Sequence, residues 1–299
     1  MGEMTKSILS RCCAILAFAC VATAGLQPLS AAANEPVSLA KVTKWEINYD
    51  EDSCHLLAGF GQGDDLVVLN LTRYEPGSSF DVMLTGAMFT AKRVSGPIKL
   101  GFGDHVFARP QTGDGLSPGQ KPFVMFTHVR LDGKLVDPRD PGVAPVSEAQ
   151  EAAATAASIA FGDRTYRLET GSLAAPFAAM RTCTASLLTA LGYDPVVQGT
   201  LRRPPQPTAS PAGWITSGDY PKSALKKGQS GLVQFRLDID ERGVVKGCRV
   251  LRRYKDDPFA DLTCQRISQR AHFKPALDAS SRPVRSYYIN TVKFFTPDY

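Results

Sequence analysis

The sequence predicts an α+β protein: a β-rich α+β N-terminal domain followed by a small domain with an antiparallel sheet and two helices. Three observations carry that reading. Short runs of strict apolar/polar alternation recur along the chain, from Trp45-Glu46-Ile47-Asn48-Tyr49 to Val233 through Asp240, and a period of 2 puts alternate side chains on opposite faces of a strand. Apolar residues three and four apart, as at Ala260, Cys264, Ile267 and Ala271, read as a helix with one buried stripe. A proline-rich stretch at 199–212 separates an acidic part of the chain from a basic part. The length of 299 residues fits about two domains, and 43% apolar with 21% charged content is that of soluble globular proteins.

Residues 1–33 are not read as fold. Lys6 and Arg11 form a basic flank, an uncharged apolar run of 15 spans Cys12 to Leu26, Pro28 breaks it, and Ser30-Ala31-Ala32-Ala33 offers small residues for cleavage. A run this short between such flanks is a secretory signal peptide rather than a membrane span. The expectation is an exported, periplasmic chain with its leader removed. The alternative is an uncleaved anchor that holds the chain on the inner membrane, facing the periplasm. Lipidation at Cys20 is disfavoured by its approach, Ala17-Phe18-Ala19.

Residues 34–198 read as a β-rich α+β domain. Trp45, Ile47 and Tyr49 alternate, as do Val67, Leu69 and Leu71, then Phe80, Val82 and Leu84. Phe123 to Leu131 is a further strand, turning at Asp132-Gly133, and Thr165 to Glu169 is another. Ser147 with Gln150 forms a capping box for an alanine-rich helix to Ala157. Ser172 caps a helix that reaches Leu191 and stops at Gly192. Gly59-Phe60-Gly61-Gln62-Gly63 and Gly101-Phe102-Gly103 invite a phosphate-loop reading, but neither follows a strand and opens a helix, so both are read as tight turns.

Residues 199–212 read as a linker whose prolines (Pro204, Pro205, Pro207, Pro211) favour an extended conformation. Charge divides there. Residues 34–197 hold 14 Lys and Arg against 19 Asp and Glu, a net of −5, whereas residues 213–299 hold 16 against 9, a net of +7. The cations are spread over the outward faces of strands and a helix, with no nucleic-acid motif, and export removes nucleic acid from reach. An acidic partner, or weak attraction to an anionic envelope surface, fits better.

In residues 213–299, Val233, Phe235, Leu237 and Ile239 share one face of a strand while Gln234, Arg236, Asp238 and Asp240 share the other. That strand is expected to be half-buried. Gly243 supplies the φ > 0 position for a turn, and Val244 to Leu251 returns as its partner. Asp257-Pro258 reads as N-cap and first helical position of the helix carrying Ala260 to Ala271. Phe273-Lys274-Pro275 ends that helix, and a last strand runs from Val284 to Phe295.

Little here points to chemistry. Ser223-Ala224-Leu225-Lys226 matches the S-x-x-K of serine β-lactamases, but S-D-N and K-T-G partners are missing. Asp238 to Gly243 mimics a calcium loop, yet Arg242 and Arg249 fall where ligands are required. His55, His105, His128 and His272 are scattered. No catalytic residue, metal or cofactor is assigned. Four cysteines remain after the leader, Cys54, Cys183, Cys248 and Cys264, and an even number in an exported chain suggests disulfides, with three pairings open. Cys248 on the returning strand faces Cys264 on the helical stripe, so Cys248–Cys264 is expected, which leaves Cys54–Cys183.

In order and spacing, Tyr220-Pro221, Gly231-Leu232-Val233-Gln234-Phe235, Asp240 through Val245, Phe273-Lys274-Pro275-Ala276 and Pro283-Val284 through Phe294 resemble the C-terminal domain of the TonB family of energy transducers. Tyr220, Pro221, Gly231, Gly243 and Pro275 are its landmarks, and the resemblance says nothing about residues 34–198. It implies a small sheet whose last strand grips a short segment of an outer-membrane TonB-dependent receptor by strand addition. Carried over, the docking edge is Ser286, Tyr287, Tyr288, Ile289, Asn290, Thr291, Val292, Lys293 and Phe294. The segment before Tyr220, here Thr216-Ser217-Gly218-Asp219, would lie nearby and lacks the Gln/Pro pair of well-studied relatives. Energy transducers also carry a histidine in an N-terminal membrane helix, and residues 1–33 contain none. The reading is therefore a periplasmic binding or adaptor protein, engaging an outer-membrane receptor or another envelope protein, with a homodimer allowed. One alternative is a membrane-anchored energy transducer. Another is an envelope enzyme with an unrecognised catalytic domain in 34–198.

Overall fold

The alternating runs of the first half become strands of two sheets that share one core. The computed structural model of the protein describes residues 35–90, 97–107, 113–116, 121–134, 144–251 and 257–296, without the side chains of 105–107, 113–114 and 116. The expected leader, 1–33, lies outside them. In chain order the first half runs β1 (Val37–Ala40), β2 (Glu46–Tyr49), β3 (Cys54–Phe60), β4 (Val67–Arg73), β5 (Phe80–Thr85), β6 (Lys99–Phe102), β7 (His105–Phe107), β8 (Gly113–Leu116), β9 (Pro122–Val129), α1 (Glu148–Ala153), β10 (Ala157–Phe161), β11 (Arg164–Glu169) and α2 (Ala174–Ala190). One sheet has the order β1-β11-β10-β6-β7 and the other β2-β3-β4-β5-β9-β8. A bridge between Lys41 and Phe60 joins them.

The expected inward residues fill the space between the sheets. Leu56, Leu69, Leu71, Val82, Leu84 and Phe126 meet Leu100, Phe102, Ile159 and Leu168, and α2 adds Phe177 and Met180. Each such side chain contributes roughly 1.5–3 kcal/mol by leaving water. Cys54 on β3 and Cys183 on α2 are joined, with Cα atoms 6.0 Å apart and a separation of 129 positions in sequence. The disulfide therefore pins the helix to the sheet it covers.

In the first half two helix boundaries differ from expectation. The Ser147/Gln150 capping box forms, with Gln150 N–H donating to Ser147 Oγ at 3.2 Å and Ser147 N–H donating to Gln150 Oε1 at 2.9 Å. Helix α1 nevertheless ends at Ala153, because Ala157 already pairs with Phe102 and Leu168 in the sheet and is fully buried. Helix α2 starts two residues beyond Ser172, whose Oγ accepts from Ala174 N–H at only 3.4 Å. The glycine segments are turns only in their later residues: Gly59-Phe60 and Gly101-Phe102 end β3 and β6, and Gly61, Gly63 and Gly103 then turn with φ of 74°, 56° and 59°. Both segments thus run out of a strand, contrary to expectation, but the first opens only a single 3₁₀ turn at Gly63–Asp65 and the second leads into β7, so neither opens an α-helix.

The second half continues with α3 (Pro195–Gly199), β12 (Gln206–Pro207), α4 (Lys222–Lys226), β13 (Gly231–Ile239), β14 (Val245–Val250), α5 (Ala260–Arg270), β15 (Phe273–Lys274), β16 (Ala276–Leu277), β17 (Pro283–Val284) and β18 (Ser286–Phe294). Its main sheet has the order β14-β13-β18, antiparallel throughout. Between the halves, β12 pairs with β15, Arg203 and Leu277 exchange main-chain hydrogen bonds, and Thr208 N–H donates to His272 C=O. The 199–212 stretch is thus tied along the second half.

Phe235, Leu237 and Ile239 pack against Ile267, Ala271, Phe273 and Trp214. Cys248 and Cys264 are bonded with Cα atoms 5.5 Å apart, which ties α5 to β14. Helix α5 starts at Ala260, later than the Asp257-Pro258 expectation. Asp257 still serves the turn, accepting from Phe259 N–H at 2.8 Å. Phe259 is drawn inward, stacked on Phe294 with ring centroids 4.4 Å apart.

Strand β13 is not half-buried; its polar face is covered too. Gln234 and Arg236 are 4% and 6% exposed. The first half supplies their partners. Gln234 Nε2 donates to Asp81 Oδ2 at 2.9 Å, and Arg236 Nη1 to Asp52 Oδ1 at 3.0 Å. Arg249 also donates to Asp52, and the Tyr193 hydroxyl to Asp238 Oδ1 at 2.8 Å. Buried polar groups are tolerated only with such partners. Arg236 and Arg249, expected on an outward face, are thus met by acidic residues of the first half.

Candidate functional site

The parity of the sheet decides what β18 offers to a partner. Leu251 N–H donates to Gln234 C=O, so the even-numbered residues of β13 bond toward β14 and the odd-numbered ones toward β18. In the β13–β18 register Phe235 faces Asn290 and Leu237 faces Tyr288. The even residues of β18 are therefore spent on β13. Tyr287, Ile289, Thr291 and Lys293 turn their N–H and C=O groups outward, away from β13, as the outer row of an edge strand does.

That edge is closed at one end and open at the other. Toward Ser286 it is covered by the segment after α2: Gln198 Nε2 donates to Arg285 C=O at 3.0 Å, and Ser286 Oγ donates to Gln198 Oε1 at 2.7 Å. Tyr193 packs edge-on to Tyr287 at 5.2 Å. Burial pushes the Tyr287 and Tyr288 hydroxyls above the ordinary tyrosine range, so both stay neutral. Toward Phe294 the edge borders a groove of about 270 Å³, lined by Pro211, Ala212, Trp214, Ile215 and Phe235 on one side and by Asn290 to Lys293 on the other. This is smaller than a pocket for a drug-sized ligand, and suits one or two side chains of a passing chain.

Of the nine expected edge residues, the structure places Ile289 to Lys293 at the open part. Ser286, Tyr287, Tyr288 and Phe294 are buried and act as packing. Thr291 Oγ1 is buried without a hydrogen-bond partner among the described residues. Thr216-Ser217-Gly218-Asp219 does not line the groove. Asp219 turns inward, where Arg270 donates to it at 2.6 and 3.0 Å and Arg266 lies 3.0 Å away. Arg270 holds its carboxyl well below the usual range. The groove wall comes instead from Pro211 to Ile215, which nothing in the alternation pattern marks. Trp214, only 4% exposed, was the one clue available there.

The landmark residues also find physical roles. A Cβ on Gly231 would lie 2.4 Å from the Phe259 ring, and one on Gly243 would lie 1.9 Å from the Phe273 carbonyl oxygen. The Tyr220 hydroxyl donates to Gln229 C=O at 2.6 Å, and its ring meets Phe259 and Phe294 edge-on. Pro275 C=O accepts from Arg203 at 3.0 Å.

Residues 217–295 match the Gram-negative bacterial TonB protein C-terminal family. No curated protein matches the chain. The family so matched is one of envelope-associated energy transducers and adaptors, and the likeness covers these residues alone. Ser223 and Lys226, the S-x-x-K pair, lie exposed on α4 of this half. Among the described residues no helix is long and apolar enough to cross a membrane.

Proposed function

We propose that the protein is a periplasmic adaptor whose TonB-like half accepts an extended segment of an outer-membrane TonB-dependent receptor, or of another envelope protein, as a strand added to β18. One observation carries the reading: main-chain groups of β18 turn outward at Ile289, Thr291 and Lys293, and the last two of these lie directly beside a groove lined by both apolar and polar atoms. An added strand takes affinity from the backbone and selectivity from alternate side chains, and here one row of those side chains would enter the groove. In this reading residues 34–198 form a separate domain that braces the back of the sheet, residues 199–212 link it to the docking domain at 213–299, and the leader is removed on export. Chemistry is not assigned to either half.

Parity designs the test. Proline at an outward position removes no ladder hydrogen bond to β13, so an edge strand tolerates it. Lys293→Pro and Ile289→Pro should keep the fold by thermal melt and abolish binding of synthetic peptides copied from the periplasmic ends of outer-membrane receptors. Lys293→Ala should bind within a fewfold of the parent. Tyr288→Ala is unsuited to this purpose, because Tyr288 packs 5.1 Å from Phe273 and 5.8 Å from Trp214 in the core. Folded proline variants that bind peptide as well as the parent would exclude β18 as the docking edge.

A further inference from the structure

We propose that Asn290 is a latch on the docking edge, a side chain that any added strand must displace; this rests on β18 being that edge. Thr291 N–H points away from β13, yet it is not bare. It donates to Asn290 Oδ1 at 2.8 Å. The other end of the same amide is also held, since Asn290 Nδ2 donates to the Tyr288 hydroxyl at 2.7 Å. Tyr288 is fixed in turn between Trp214 and Phe273. The latch is thus oriented from the core. At the flanking outward positions, Ile289 and Lys293, main-chain N–H groups have no such partner among the described residues. One donor in the middle of an otherwise open edge is occupied by the chain itself.

The physical consequence is selective. An exposed edge templates pairing with any strand, including one from a second copy, and proteins blunt such edges by local devices. A strand crossing 289–293 finds donors ready at both ends but must break the Asn290 contact to use the one between. Asn290 also lines the groove, so a strand that seats a side chain there contacts the latch directly. Strands that only offer backbone lose a hydrogen bond's worth of affinity, about a factor of ten. Asn290 is thereby a specificity-determining residue, distinct from the edge it guards.

Amide-resolved hydrogen exchange tests the premise in the unmodified chain. Thr291 should exchange about tenfold more slowly than Ile289 and Lys293. Asn290→Ala should remove that protection, and Asn290→Asp, which keeps an acceptor, should retain it. Equal exchange at the three positions in the wild type overturns the latch. The second arm uses a labelled, end-blocked peptide copying residues 286–294, followed by fluorescence anisotropy. Asn290→Ala should bind it about tenfold more tightly than the wild type or Asn290→Asp. Equal binding by all three overturns the latch and leaves the docking edge standing. Failure of every form, Asn290→Ala included, to bind any strand sinks the edge and the latch with it.

Discussion

Replacing Gly243 by alanine tests the packing beneath the β14-β13-β18 sheet more sharply than any core truncation. Gly243 has φ of +83°, and an added Cβ would sit 1.9 Å from the Phe273 carbonyl oxygen and 2.9 Å from its carbon. Real Cβ atoms do not approach below 3.0 Å, so the Phe273 peptide must retreat by about 1 Å. That retreat disturbs the Phe273 N–H to Gly243 C=O hydrogen bond, now 3.2 Å, worth about 1 kcal/mol. The left-handed backbone adds about 1–2 kcal/mol for any residue with a Cβ. With displacement of the packed Phe273 ring, the sum is about 3–5 kcal/mol, a large share of the stability of an ordinary protein. The melting temperature should fall by roughly 10 °C. Gly228→Ala is the control: its φ is +59°, but nothing lies within 4 Å of its Cβ. It carries the backbone cost alone, about 1 kcal/mol. Both variants are read by thermal and urea melts monitored by circular dichroism. Equal losses at the two positions would refute the argument, because only Gly243 has the close approach.

Three further outcomes are expected. Asp219 is 5% exposed and bonded to Arg270; its lowered carboxyl pKa means its contribution is complete above about pH 4 and fades as the pH falls below that value. Asp219→Asn should therefore cost about 2 kcal/mol near pH 7 and flatten the acid limb of a urea-melt series, whereas an unchanged acid limb would remove Asp219 from the account. Cys54 and Cys183 are 0% and 1% exposed while Cys248 and Cys264 are only partly buried, so graded reduction of the native protein, mapped by alkylation and mass spectrometry, should open Cys248–Cys264 first. Asp52→Ala leaves Arg236, with its side chain 7% exposed, without its partner from the first half; a loss of about 2–3 kcal/mol is expected by urea melt, and one below about 0.5 kcal/mol would mean the two halves do not depend on this pair.

Much of the architecture was legible because its strands obey simple chemistry. Val67, Leu69 and Leu71 alternate inward as expected, the Ser147/Gln150 box caps a helix, and both disulfides follow from an even count plus the placement of Cys248 and Cys264. The misreading of β13 has an equally simple cause. A polar face of Gln234, Arg236 and Asp238 looks the same whether it meets water or a complementary polar surface. Only the complement distinguishes them, and that complement, Asp52, Asp81 and Tyr193, lies 45 to 184 residues away in sequence. The opposite net charges of the two halves were its trace in the composition, but charge totals carry no pairing. The helix α1 overrun has the same origin: alanine favours helix locally, and the sheet register claims Ala157 anyway.

The edge strand β18 shows where such reading ends. A last strand with alternating character could be located from residues 284–295, and the resemblance made it an edge. Which of its residues face a partner through the backbone is a different question, because it depends on the side of the strand on which its neighbour lies as well as on the face that is buried. The answer comes from Leu251 N–H reaching Gln234 C=O on the far side of β13. That bond sits beyond a register shift at Asp238/Ile239, a feature no alternation pattern encodes. Had β13 bonded to its neighbours with the other parity, Tyr288, Asn290 and Val292 would face outward, proline at Lys293 would break the ladder, and Asn290 could not reach a free amide at Thr291. The identity of the latch and the tolerance of proline at Lys293 are thus two consequences of one register, and an experiment that contradicts one contradicts the ground of the other.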